Sequence, residues 1–197
     1  MDALMELRAA LEALPGIGQR TALRLAMFLV RRPDGAARAL ESALGRARAE
    51  LTVCPQCGNV TEGGGGPCRM CRDPNRDARM LCVVEDAEDI ALLERSGGYR
   101  GRYFSLGGKI SALRGTGPEQ LRVAGLLEAA RGVEEVLLAL NCDVESDATA
   151  AYLRQRLAEE APGVKVTRLA FGIPAGSAIA YADPVTLERA IQGRTRL

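Results

Sequence analysis

An assembly of small modules, helical at the N-terminus and α/β afterwards, is the fold class that the 197-residue sequence predicts, and three observations predict it. Apolar residues recur at helical spacing on both sides of Leu14-Pro15-Gly16-Ile17-Gly18. Four cysteines fall in two close pairs between residues 54 and 71. From Met80 onward, short apolar runs alternate with amphipathic stretches. Together these describe a multidomain α and α/β chain: a helical hairpin module over 1–52, a small cysteine insert over 53–79, an α/β domain with a parallel sheet over 80–171, and a C-terminal loop and helix over 172–197.

In the first module two helices are expected over 3–14 and 19–30, split where proline and paired glycines force a tight turn. Pro33-Asp34-Gly35 breaks the pattern, and residues 36–51, rich in Ala, Arg, Glu and Leu, form a third helix. Glu62-Gly63-Gly64-Gly65-Gly66-Pro67 is unsuited to regular structure and makes sense as a loop between two cysteine knuckles. Strands over 81–84, 103–106, 136–140 and 164–170 then alternate with helices over 87–95, 118–130 and 147–160, which predicts a parallel sheet covered on both faces. A terminal helix over 184–192 follows the loop Gly172-Ile-Pro-Ala-Gly176-Ser. Cys82 and Cys142 are expected to be small core residues. Tyr99, Tyr103, Tyr152 and Tyr181 are expected to serve as packing or edge residues.

Composition narrows the chemistry. No run approaches the roughly 18 consecutive apolar residues of a membrane span and no export signal is visible, so a cytoplasmic protein is expected. Paired cysteines in a reducing compartment bind metal more often than they form disulfides. Histidine is absent, which excludes nucleophile–histidine triads and histidine-bearing zinc sites. The net charge of +1 argues against a generally basic nucleic-acid binder. The bias is local: residues 1–79 carry 12 arginines against 9 acids, and residues 80–197 carry 14 basic residues against 16 acids. Contact with nucleic acid therefore has to come from patches.

Cys54-Pro-Gln-Cys57 and Cys68-Arg-Met-Cys71 are two Cys-x-x-Cys knuckles ten residues apart, a spacing that lets four thiolates converge on one Zn²⁺. Four protein ligands close the site, so the zinc folds its segment and activates no water. In the hairpin, Gly16 and Gly18 let the backbone approach a phosphate, and the first turn of the following helix points free N–H groups at that anion. Arg20 and Arg24, four apart, share a face beside the same turn. Leu14-Pro-Gly-Ile-Gly18-Gln-Arg20-Thr-Ala22-Leu-Arg24 resembles the helix-hairpin-helix DNA-binding motif, which implies sequence-independent, salt-sensitive binding through the phosphate backbone.

Acids stand after the strands of the α/β part: Glu85 directly after residues 81–84, and Asp143-Val-Glu145-Ser-Asp147 soon after residues 136–140. Ligands of open α/β sheets gather at the carboxyl ends of strands, so Glu85, Glu145 and Asp147 are expected to converge. The arrangement resembles the Toprim domain, whose strand-end glutamate and Asp-x-Asp pair hold Mg²⁺; the pair here is Glu145-x-Asp147, a departure. Acids in such places also serve as helix N-caps.

The order of hairpin, four cysteines, Toprim-like domain and Arg168-Leu-Ala-Phe-Gly172-Ile-Pro174-Ala-Gly176 followed by Tyr181-Ala-Asp183 is similar, over nearly the whole chain, to the RecR family of bacterial recombination mediators. Supporting strings are Asp73-Pro74-Asn-Arg76-Asp77, Val83-Val84-Glu85 and Glu94-Arg95-Ser96-Gly97-Gly98-Tyr99. Departures are Ser146 where the family usually has glycine, Gly176-Ser177 for Gly-Gly, and Ala178 and Ala180 at acidic positions. The resemblance implies one structural zinc on Cys54, Cys57, Cys68 and Cys71, and DNA contact by Gly16, Gly18, Arg20 and Arg24. It also implies a homo-oligomer, dimer or tetrameric ring, and an acidic centre of Glu85, Glu145 and Asp147 that takes Mg²⁺ or a partner. Its implied role is repair of damaged DNA with RecO and RecF, loading RecA on strands coated by single-strand-binding protein, with no bond made or broken. The alternative reading is a Mg²⁺-dependent Toprim-type nuclease, primase or topoisomerase-like enzyme using the same acids; a third is a zinc-stabilised interaction module without DNA.

Overall fold

The computed structural model describes residues 2–32 and 35–195, which divide into two compact units, Met1–Thr52 and Val53–Leu197. Of the break expected at Pro33-Asp34-Gly35, the first two residues lie outside the described ones. Gly35 adopts a left-handed φ of 80° and stands just before the third helix.

The first unit contains α1 (Asp2–Glu12), α2 (Gln19–Arg31) and α3 (Ala36–Glu50). In the connecting turn Gly16 takes a φ of +79°, a conformation an L side chain resists, and Ile17 N–H donates to Leu14 O at 3.2 Å. Ala22 and Ala26, four apart on α2, are fully buried. Their small side chains let α1 pack closely against α2. Large apolar residues of this unit stay exposed, among them Leu14, Leu23, Phe28, Val30, Leu40 and Leu44.

A two-stranded ribbon follows, of β1 (Leu51–Val53), whose last residue begins the second unit, and β2 (Val60–Glu62), and after it the one-turn helix α4 (Arg69–Arg72). Then come β3 (Asp77–Val84), α5 (Ala87–Ser96), β4 (Gly101–Ser105), a 3₁₀ turn at Pro118–Gln120, α6 (Val123–Ala129), β5 (Glu135–Ala139), α7 (Val144–Glu160) and β6 (Lys165–Arg168). A second 3₁₀ turn, Ile179–Tyr181, precedes α8 (Pro184–Gln192). The sheet is parallel in the order β4-β3-β5-β6. The chain leaves β3 toward one edge and returns to β5 on its other side, so the carboxyl ends of β3 and β5 form the switch point where such sheets bind ligands.

Alternation along the strands loads both faces. Leu81, Val83, Phe104, Val136 and Leu138 pack on one side with Leu126 and Leu127 of α6 and Leu153 and Leu157 of α7. Cys82, Val84, Tyr103 and Ala139 pack on the other with Ile90 of α5. Gly125 of α6 sits where a Cβ would lie 3.2 Å from Phe104 Cζ, so glycine sets how closely this helix approaches the sheet.

Some elements differ from expectation. The helix over 118–130 is a 3₁₀ turn and then α6, because Arg122 N–H leaves the helical ladder to donate to Leu106 O at 3.0 Å. Strand β3 starts at Asp77, not 81, since Asp77 N–H donates to Arg100 O and Glu134 N–H to Arg79 O. Helix α7 starts at Val144, not 147, because Asp143 caps it by accepting from Ser146 N–H at 2.9 Å. Cys82 is a core residue whose thiol burial pushes up to about 12. Cys142 is not: it lies beyond the end of β5 and is exposed. Tyr181 is not packed either, standing 87% exposed in its 3₁₀ turn.

Candidate functional site

Three groups of residues carry chemistry. The first is the turn into α2. Gly18 precedes the helix in an extended conformation and, having no side chain, gives no side-chain cap to the first-turn N–H groups. Arg20 and Arg24 are exposed on this helix, and neither forms an ion pair among the described residues.

The second group is the cysteine cluster. Cys54 begins a tight turn after β1, with Gly58 N–H donating to Cys54 O at 2.9 Å, while Cys68 and Cys71 flank the start and third residue of α4. Ligand atoms of the four lie within 4.8 Å of one another. The Cys54–Cys71 and Cys57–Cys68 sulfur separations are 3.8 and 3.6 Å. A tetrahedron with 2.3 Å zinc–sulfur bonds has edges of about 3.8 Å, so the donor set fits Zn²⁺. A hydrogen bond from Cys71 holds the Cys57 thiol down to about 5, and the same bond pushes Cys71 up. Cys54, Cys57, Cys68 and Cys71 would hold the ion.

Arg122, which the sequence did not single out, fastens this knuckle to the sheet. Its guanidinium lies 4.6 Å above the Phe104 ring and donates to Ser105 O and Pro55 O, both at 3.0 Å. Ser105 N–H completes the join, donating to Cys57 O at 2.7 Å. A Cβ on Gly58 would stand 2.0 Å from Arg122 Nη1, and Gly58 has a φ of +78°. Arg76 is a second fastener: it donates to Glu94 at 2.5 Å and to Gly101 O at 3.0 Å, tying the segment after α4 to α5 and β4.

The third group is the acidic centre at the switch point. Glu85 follows β3 and is buried, 3% exposed. Its carboxylate accepts from Asn141 N–H at 2.8 Å, Asn141 Nδ2 at 2.9 Å and Ser146 Oγ at 2.5 Å. Ser146, one of the departures from the family pattern, thus supplies one of these donors. Glu145, in the first turn of α7, accepts from the Ser111 hydroxyl. Among them lies Lys109 Nζ, 2.5 Å from Asp143, 3.8 Å from Glu85 and 4.0 Å from Glu145. The ammonium holds the Asp143 carboxyl down to about 2. Asp86 moves the other way, raised first by burial and then by neighbouring Asp89 and Glu85.

Asp147 does not join Glu85 and Glu145. Residues two apart on a helix point about 200° apart, so once α7 begins at Val144 the two acids must face different ways. Asp147 instead accepts from Arg168 at 2.9 Å and Arg189 at 2.8 Å, and the Arg168 bond foremost holds it below the usual carboxylate range. Both guanidiniums lie over the Phe171 ring, at 4.1 and 4.5 Å. The convergent set is Glu85, Asp143 and Glu145 around Lys109. The sequence names caps among the roles of these acids but places the helix start at 147, so Asp143 as its cap is a finding of the structure; Lys109, on an aperiodic loop, gave no sequence signal.

A helical hairpin whose second helix starts without a side-chain cap, four cysteines close enough to hold a metal ion and a parallel sheet with acids at its switch point are the parts of a modular nucleic-acid-handling protein. Family models agree in order: one described as RecR, helix-hairpin-helix matches residues 4–48, a Toprim domain model matches 79–170, and one described as RecR, C-terminal matches 172–195. Recombination protein RecR of Moorella thermoacetica is 50% identical over 198 residues, covering 100% of this chain and 98% of its own. That of Thermus thermophilus is 45% identical over 193 residues, 98% and 96% covered, and that of Bifidobacterium longum 44% over 194, 98% and 95% covered. The chain belongs to the RecR family of recombination proteins. These relatives are named as recombination proteins. No described helix is long and apolar enough to cross a membrane.

Proposed function

We propose that the protein is a cytoplasmic mediator of recombination at damaged DNA, acting with RecO, RecF or both to help load RecA onto strands coated by single-strand-binding protein. The observation that carries this reading is the open first turn of α2 beside Gly16 and Gly18, with Arg20 and Arg24 exposed and unpaired among the described residues. Such a turn grips phosphate without reading bases, on single strands and duplex alike. A chain of net charge +1 needs several such turns to hold DNA, and a homo-oligomer, dimer or ring, supplies them by avidity. The exposed apolar residues of the first unit support that association.

In this reading the four cysteines carry one structural Zn²⁺, and the modules are 1–52, 53–79, 80–171 and 172–197. Glu85 and Glu145 form a surface for partner or DNA handling, while Asp147 anchors α8. The Mg²⁺ implied by the Toprim resemblance suits this centre poorly, because Glu85 already has three donors and Lys109 stands among the acids.

The test is RecA's DNA-dependent ATP hydrolysis on single strands pre-coated with single-strand-binding protein, with RecO present. Earlier onset only when this protein is added is the expected result. No change, with zinc bound and RecO active, would defeat the mediator reading and bring forward a magnesium-dependent nicking or priming assay.

A further inference from the structure

We propose that Lys109 supplies the cation of the acidic centre in this chain, which is therefore held together without a divalent metal. Carboxylates at a switch point repel one another unless a positive charge stands among them. Here that charge is already present: Lys109 Nζ lies 2.5 Å from Asp143 Oδ2, 3.8 Å from Glu85 Oε2 and 4.0 Å from Glu145 Oε2. It also donates to Ser146 Oγ at 3.3 Å.

With the ammonium in place the oxygens are not disposed for a metal. Mg²⁺ demands oxygens at about 2.0–2.1 Å in near-octahedral array. Glu85 is occupied by Asn141 and Ser146, and one oxygen of Glu145 takes the Ser111 hydroxyl. Among the described residues, the four cysteines are the group of His, Cys, Asp and Glu close enough to share an ion. A metal entering among Glu85, Asp143 and Glu145 would have to displace the ammonium.

Nor is Lys109 there by the chance swing of a long side chain. Gly107 and Gly108 N–H both donate to Glu85 O at 2.9 Å, immediately before it. Ile110 N–H, immediately after it, donates to Thr149 Oγ1 of α7 at 3.0 Å. Ser111 and Thr116 close the loop with paired backbone hydrogen bonds at 2.9 Å. The backbone on both sides of the lysine is thus fastened, one end to the residue after β3 and the other to α7. Whether the protein loads a recombinase has no bearing on this cation, which depends on local geometry alone.

The probe is Mn²⁺, followed by the loss of its free electron-spin-resonance signal on titration into the zinc-loaded full chain. Wild type and Lys109→Arg are expected to leave the free signal intact. Lys109→Met is expected to remove free signal by binding one Mn²⁺ where wild type binds none over the same titration, an affinity at least about tenfold above the wild-type limit, the ammonium that blocks entry being gone. Adding Glu145→Gln to Lys109→Met should return binding to the wild-type level. Lys109→Gln serves as the neutral variant if Lys109→Met does not fold. Wild type binding one Mn²⁺ as tightly as the neutral variant, with Glu145→Gln abolishing it, would overturn the proposal. So would a neutral variant that gains no Mn²⁺ while its zinc content and circular dichroism match wild type.

Discussion

Arg20→Ala combined with Arg24→Ala removes two cations that share one face of α2 next to its open first turn. Each phosphate contact contributes about 0.7 to the slope of log K against log salt on single strands and about 0.9 on duplex. Losing both should flatten the slope by about 1.4 and about 1.8 respectively for each hairpin engaged. A fourfold rise in salt, from ~50 to ~200 mM, should then weaken wild type about sevenfold more than the variant on single strands, and about twelvefold more on duplex. Neither arginine has an acidic partner among the described residues, so the loss is not offset by freeing a carboxylate. Fluorescence anisotropy with labelled oligonucleotides across a salt series measures it. The charge-matched control is Arg95→Ala with Arg154→Ala, exposed residues of α5 and α7. An unchanged slope in the hairpin variant, or an equal flattening in the control, would refute the assignment of phosphate contact to this turn.

Three further outcomes are expected. Phe104→Ala empties a core site that is 2% exposed and removes the platform under Arg122, which should cost about 3–5 kcal/mol in urea unfolding with zinc bound and leave the slope m nearly unchanged. Cys57→Ser should drop bound zinc well below one per chain by elemental analysis and open the loop over 58–67 to proteolysis; full zinc retention would remove Cys57 from the ligand set. Asp143 has its carboxyl lowered from 3.8 to about 2 in the folded state, so its ion pair stabilises the fold above about pH 4 and that stabilisation is lost as pH falls through about 2. Asp143→Asn should therefore narrow the gap between urea midpoints at pH 5 and pH 2, and an unchanged gap would show that the pair adds nothing.

What the sequence conveyed and what it did not divide along one physical line. The turn at Gly16 and Gly18 and the two cysteine knuckles are patterns of adjacent residues, where spacing alone constrains geometry. The alternation of β3 to β6 with helices was legible for the same reason, each apolar run being local. Helix register decides finer matters: Asp143 as the cap moves the start of α7 and with it the direction of Asp147. Lys109 meets Asp143 from 34 residues away, through a loop without periodicity, and no short window contains both. Arg122 is more remote still from Pro55, 67 residues earlier, and its role depends on a helix that leaves its ladder at that residue.

The join made by Arg122 carries a consequence for how these proteins change over generations. Its guanidinium holds the carbonyl oxygens of Pro55 and Ser105, atoms that every amino acid presents in the same form. Side chains at positions 55 and 56 are therefore free to drift without unfastening the knuckle. Position 58 has no such latitude, since any carbon there lands on the arginine. Descendants of this chain should vary the residues between Cys54 and Cys57 widely while keeping glycine one step beyond, where both the arginine and the positive φ exclude a side chain.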